Sequence, residues 1–325
     1  MHRVKINMTN QSIIDYFHEY QFLGSCFSEN LYKKMQQAGF KVKSNPFGVI
    51  FNPASIADFL LLNDKELKKT VFMREDVALS WMANSTCFDY DAEKLKDKLV
   101  SLRKSFMEDL VTTKVLFITF GTAYVYEDIH SKKIVANCHK VPQNKFSKRL
   151  LSITEIVNQW EKVIRKLDIF SNMYGTELKI VFTVSPVRHI KDGVIENARS
   201  KATLLTAIHE LKDKFYEVDY FPSYEIMLDV LRDYSYYKSD KIHPNGKAID
   251  EIWETFQEAY FSVETQSIYK EYEELKRFVS HQPLHPESKK SKELMEKKEV
   301  KIQEFKGKFP AVSLDFLYLP TTNFR

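Results

Sequence analysis

A chain of 325 residues, 44% hydrophobic and 28% charged, is long enough to bury a sizeable core and too charged for a membrane bundle; neither a disordered nor a fibrous class fits. Its 48 basic residues exceed the 44 acidic ones by only four, too little to argue for a nucleic-acid protein on charge alone. Three scattered cysteines, Cys26, Cys87 and Cys138, offer neither a zinc pair nor a disulfide framework, and there is no signal-peptide run at the start and no apolar stretch of the ~18 residues a bilayer requires, so the reading is a cytoplasmic protein with no membrane partner.

Short apolar runs that stop at turn residues alternate with stretches of helical period, the pattern of β-α units around a parallel sheet. Strands are predicted over 20–23, 40–43, 115–120, 179–184 and 218–221, about five in all. The runs 115–120 and 180–184 are continuous enough to be buried on both faces, as central strands are. Helices are predicted over 29–38, closed by Gly39, then 55–62, 92–110, 153–170, 197–215 and 246–261, the last with one apolar face formed by Ile249, Ile252, Trp253, Phe256 and Tyr260. The stretches 63–91 and 125–149 fit neither period and are expected to be long functional loops. Composition then changes: residues 1–262 form the main domain, and 263–325 read as a charged helical extension, 264–279 and 287–305, broken at His281-Gln-Pro-Leu-His-Pro286. A solvated helical arm is the plain expectation there; a nucleic-acid surface on its lysines is a sharper alternative, and its binding would fall steeply with salt.

The first strand ends in Leu23-Gly24-Ser25-Cys26-Phe27-Ser28, with a helix directly after. A serine in that turn sits above the carboxyl ends of the strands, where open α/β sheets bind ligands, and the helix N-terminus favours negative charge there. The plainer role for Ser25 or Ser28 is to cap the helix. Far downstream, Asp240-Lys241-Ile242-His243-Pro244 places a carboxylate three residues before a histidine. In a turn, Asp240 can hold one ring nitrogen and leave the other free to take a hydroxyl proton. Arg188, in Ser185-Pro186-Val187-Arg188-His189, follows the fourth strand and can clamp a carboxylate or a phosphorylated sugar. Tyr124, Tyr126 and Phe47 are candidate walls of a sugar or acyl pocket.

Gly24-Ser25-Cys26-Phe27-Ser28, Asn45-Pro46-Phe47-Gly48, Asn52-Pro53-Ala54-Ser55-Ile56, Phe120-Gly121-Thr122-Ala123, Asn137-Cys138-His139-Lys140-Val141-Pro142, Ser185-Pro186-Val187-Arg188 and Asp240-Lys241-Ile242-His243-Pro244 resemble, in this order, the GSCFA-domain family of the SGNH (GDSL-like) hydrolase superfamily. The resemblance runs from about Phe22 to Phe261. It implies an α/β fold, a flavodoxin-like α/β/α sandwich with a central parallel sheet, and a serine esterase that needs neither cofactor nor metal. Carried over, Ser25 is the nucleophile, Asp240 and His243 are the orienter and base, and Gly48 is an oxyanion donor. The third block keeps Gly121 but has Thr122-Ala123 where the superfamily has asparagine, so the side-chain donor is Thr122, Asn137, Asn52 or none. Asn137 and His139 are favoured as substrate or oxyanion groups, the plainer role being a loop stapled by local bonds. The implied substrate is a small acylated molecule, a carbohydrate ester for example. An acyltransferase using the same triad and a non-catalytic binding module are the alternatives, and the oligomeric state is open.

Overall fold

The computed structural model describes residues 6, 8–281, 285 and 288–318. The chain opens with strand β1 (Glu19–Gly24), helix α1 (Cys26–Gln37), β2 (Lys41–Ser44), α2 (Pro53–Leu61) and α3 (Asp64–Lys68), followed by a hairpin of β3 (Val71–Arg74) and β4 (Val77–Ser80). Helix α4 (Ala92–Asp109) leads to β5 (Thr113–Phe120), then β6 (Tyr124–Asp128), β7 (Ile134–Val135) and β8 (Phe146–Leu150), then α5 (Ile153–Tyr174), β9 (Lys179–Val184), α6 (Val194–Lys214) and β10 (Val218–Tyr220). A one-turn α7 (Ser223–Glu225) precedes the long helices α8 (Gly246–Tyr260), α9 (Val263–Ser280) and α10 (Lys289–Lys308).

Five strands form one parallel sheet in the order β10-β9-β5-β1-β2. The alternation of side chains along β5 assigns its two faces: Val115 and Phe117 enter one core, Leu116, Ile118 and Phe120 the other. Leu31 of α1, Ile252 of α8 and Ile268 of α9 join the first core; Ile56 of α2, Leu95 of α4, Trp160 of α5 and Leu204 of α6 join the second. The result is the three-layer α/β/α sandwich that the pattern predicts. In sequence order the sheet runs 2-1-3-4-5, so the chain reverses direction between β1 and β5, and ligands of such sheets bind outside the carboxyl ends at that switch.

Two expectations change. The stretches 63–91 and 125–149 are not long loops: the first holds α3 and the β3–β4 hairpin, the second the antiparallel sheet β7-β6-β8. Their turns carry Glu75 and Lys132 at positive φ, +54° and +57°, where the usual sequence signal is glycine or asparagine. Nor is the C-terminal extension a solvated arm. Ile268, Tyr272 and Leu275 of α9, Ile302 and Phe305 of α10, and Val312 and Leu314 beyond it are buried in the first core. The Ser313 N–H donates to the Gly39 carbonyl at 2.8 Å and Lys276 Nζ to the Gln37 carbonyl at 3.1 Å, so the extension satisfies the end of α1. The expected break at 281–286, apart from His281 and His285, and residues 319–325 lie outside the described residues.

Candidate active site

Gly24 closes β1 at φ +129°, where a Cβ would fall 2.2 Å from the Thr119 carbonyl oxygen, so the chain passes β5 closely only as glycine. Ser25 follows. Its N–H donates to the Thr119 carbonyl at 3.1 Å, and its hydroxyl accepts from the Phe27 N–H at 3.4 Å as the N-cap of α1. The residue is buried, 1% exposed. Asn45, just after β2, braces this turn: its Oδ1 accepts the Gly24 N–H at 2.8 Å and its Nδ2 donates to Ser28 Oγ at 3.1 Å and Glu29 Oε1 at 2.5 Å. The residues after β1, β5 and β9, namely Ser25, Gly121 and Ser185, thus stand side by side at the carboxyl edge, Ser25 and Gly121 flanking the switch.

The Asp240–His243 turn forms as its spacing implies. Asp240 Oδ1 accepts the N–H groups of Ile242 at 2.8 Å and His243 at 3.0 Å, while Oδ2 meets His243 Nδ1 at 2.7 Å. These bonds, the His243 amide first, then the Ile242 amide and the imidazole, hold the carboxyl well below the usual carboxylate range. It is an ionised acceptor that puts the ring proton on Nδ1. Nε2 makes no hydrogen bond among the described residues. The Arg188 N–H donates to the Ile242 carbonyl at 3.2 Å, which ties the segment after β9 to this turn. Both Asp240 and His243 are over 40% exposed at the side chain. No hydrogen bond joins Ser25 to His243; catalytic contacts of unliganded sites commonly tighten only around substrate.

The expected oxyanion and substrate groups mostly have other tasks. The Gly48 N–H donates to the Asn45 carbonyl at 2.7 Å, and the Gly121 and Thr122 N–H groups to the Phe51 carbonyl at 2.8 and 3.2 Å. Asn52 caps α2, accepting from the Ser55 N–H at 2.8 Å. Asn137 accepts the His139 N–H at 2.7 Å. His139 is buried, bonded to the Ser80 carbonyl at 2.7 Å and Ser85 Oγ at 3.0 Å, and burial holds its imidazole below its ordinary value; it pins the β3–β4 hairpin. Thr122 Oγ1 meets Ser200 Oγ at 3.1 Å and accepts the Tyr124 N–H at 3.1 Å. Phe47 packs on Phe59 inside the core. Arg188 lies 4.7 Å from the Tyr237 ring centre and 5.6 Å from that of Tyr234, with no carboxylate partner among the described residues.

The Cys26 thiol is half-buried, within electrostatic reach of Lys201 and Lys238, and burial pushes it up. Lys201 itself is absent from the sequence reading. It is 1% exposed, and its Nζ donates to the Gly121 carbonyl at 2.8 Å and the Ser185 carbonyl at 2.6 Å. The signal was available: Lys201 stands on the buried stripe of α6 with Leu204, Ile208 and Leu211, where an apolar residue is the rule.

No curated protein and no solved structure matches the chain. Among the described residues no helix is long and apolar enough to cross a membrane. The family model of the GSCFA family matches residues 20–256, from the second residue of β1 into α8, and so spans the sheet, Ser25, Gly121 and the Asp240–His243 turn. The chain therefore belongs to the GSCFA family.

Proposed function

We propose that this chain is a serine acyl hydrolase of the SGNH type, acting on a small acylated molecule such as a carbohydrate ester. The observation that carries the reading is the Asp240–His243 pair, with Nδ1 held at 2.7 Å and Nε2 without a partner among the described residues, in a turn that the Arg188 N–H ties to the segment after β9. In the proposed reaction Ser25 Oγ attacks the ester carbonyl while His243 Nε2 takes its proton. The tetrahedral intermediate collapses as the ester C–O bond breaks, and the leaving oxygen takes the proton from His243. Water, deprotonated by His243, then attacks the acyl-enzyme, releases the acid and returns the proton to Ser25. A sugar hydroxyl in place of that water makes the same site a transferase.

A non-catalytic binding module is favoured by a different observation: Ser25 is buried, its hydroxyl serves as a helix cap, and it makes no bond to His243. A fluorophosphonate probe separates the two readings, because only an activated serine displaces its fluoride. Labelling that is lost in Ser25→Ala supports the hydrolase. An unlabelled, correctly folded wild-type protein overturns it in favour of the binding module.

A further inference from the structure

We propose that Lys201 is the positive charge of the Ser25 pocket, a positioning residue that holds the turns after β5 and β9 beside Ser25 and favours negative charge forming there. The inference rests on the acyl-hydrolase reading and deepens it. Its ground is a convergence of bonds. Lys201 Nζ holds the carbonyls of Gly121 and Ser185, the first residues beyond the two central strands, and Gly121 stands against Ser25 so closely that a Cβ built on it would lie 3.1 Å from the Ser25 Cβ. The preceding residue, Ser200, accepts the Ala123 N–H at 2.8 Å and meets Thr122 Oγ1, so α6 grips the whole Gly121-Thr122-Ala123 turn.

Lys201 makes no ion pair among the described residues, and the titratable groups that face it are the Cys26 thiol of α1, the imidazole of His189 in the segment after β9, and the Tyr224 phenol of α7, whose ring centre is 5.7 Å from Nζ. A buried ammonium without a counter-ion is costly, and leucine or methionine would fill the stripe at no such cost. A charge kept at this place is useful when negative charge arrives, and acyl transfer at Ser25 creates it: the oxyanion of the tetrahedral intermediate. The site is otherwise short of donors, since the amides of Gly48, Gly121 and Thr122 are engaged and the turn carries no asparagine. An ammonium has three N–H donors, of which the two carbonyls use two. The neutral amine has two hydrogens and so loses the third donor together with the charge. Burial brings Lys201 down to about 7, so the switch falls in the neutral range.

The test is the pH dependence of Ser25 labelling by a fluorophosphonate in the full-length protein, with Ser25→Ala as the control. The expected wild-type rate falls about tenfold per pH unit above neutrality as Lys201 loses its proton. Lys201→Met is expected to react roughly a hundredfold more slowly at pH 7 and to show no alkaline fall. A wild-type plateau from pH 7 to 9 overturns the proposal and leaves the hydrolase reading intact, whether or not the variant folds. So does a Lys201→Met protein that keeps the wild-type rate and profile. If the wild-type protein is not labelled at all, the hydrolase reading fails separately, and the pocket charge is judged by calorimetry with 1-butanesulfonate, whose own charge does not titrate, at pH 8 in two buffers of different ionisation heat. Proton uptake on binding that disappears in Lys201→Met sustains the charge; binding without uptake, or no binding, overturns it.

Discussion

Gly121 lies directly against Ser25: a Cβ at Gly121 would stand 3.1 Å from the Ser25 Cβ and 3.0 Å from the Phe51 carbonyl oxygen. Both gaps are too tight for an unadjusted methyl group, and the Phe51 carbonyl is fixed by the two amides it accepts. The neighbour that gives way is Ser25. Gly121→Ala is therefore expected to cost about 1–3 kcal/mol of stability and to slow probe labelling at Ser25 by a factor on the order of a hundred, since small displacements of a reacting group are costly. Chemical denaturation and labelling rates measured together check this. A large stability loss with an unchanged labelling rate would place the strain at Phe51 instead.

Lys201 makes a prediction about stability alone. Burial depresses its ammonium from 10.5 to about 7, so between those values the unfolded chain binds a proton that the folded protein does not. On this account the stability of the wild-type protein rises with pH from about 7 to 10, by about 1.4 kcal/mol per pH unit, and is flat below. Lys201→Met lacks that slope and leaves the Gly121 and Ser185 carbonyls without a donor. The stability of the wild-type protein relative to Lys201→Met is thus expected to rise by about 2 kcal/mol between pH 7 and pH 9 in urea unfolding. Taking the difference between the two proteins, each carrying Cys26→Ala to remove the thiol within reach of Lys201, cancels the other groups that titrate in the same range. Parallel curves would mean that Lys201 titrates in the folded protein as it does in water.

How much of this was legible follows from how local each cause is. Strand β9 was readable from end to end because Ile180-Val-Phe-Thr-Val184 is apolar but for Thr183, and β5 gained two residues at its start, Thr113 and Lys114, that look polar in isolation. The Asp240–His243 bond was readable because both partners lie within four residues of each other. Lys201 and Asn45 were not: Lys201 meets Gly121 across 80 positions and Asn45 meets Gly24 across 21, contacts that exist only once β1, β2 and β5 are side by side. The extension misled through its charge. Its exposed faces are rich in Lys and Glu, and that outweighed the Ile268, Tyr272 and Leu275 stripe, whose spacings of four and three mark a packed helix.

That packing determines what truncation does. Among the described residues of 263–318, seven apolar side chains, from Ile268 to Leu314, are buried in the first core, and Val312 packs on Gly39 beside Tyr272. Even at about 1.5 kcal/mol each, their loss approaches the whole stability of an ordinary domain. A protein ending at Ser262 is expected to be insoluble, or to bind a hydrophobic dye and melt without a cooperative transition. A soluble truncated protein with a sharp melt would show that α9 and α10 are dispensable to the core.

The last prediction concerns the acid–base pair. His243 must be neutral to accept the Ser25 proton, and Asp240 stays ionised through the weakly acid range because two amides and the ring hold its carboxyl down. Loss of activity in the weakly acid range therefore does not report protonation of the Asp240 carboxylate. Asp240→Asn keeps an oxygen for the Ile242 and His243 amides, so the turn should persist. It replaces the Oδ2 partner of Nδ1 by an amide donor, which favours the wrong tautomer. Turnover of a short-chain aryl ester is expected to fall by a factor on the order of a thousand or more with the melting temperature little changed. His243→Ala is expected to remove nearly all turnover, and the double variant to be hardly worse than His243→Ala, because groups that act as one unit lose their effect together. Losses that multiply across the two sites would show that Asp240 and His243 act independently, which would leave the binding-module reading in front.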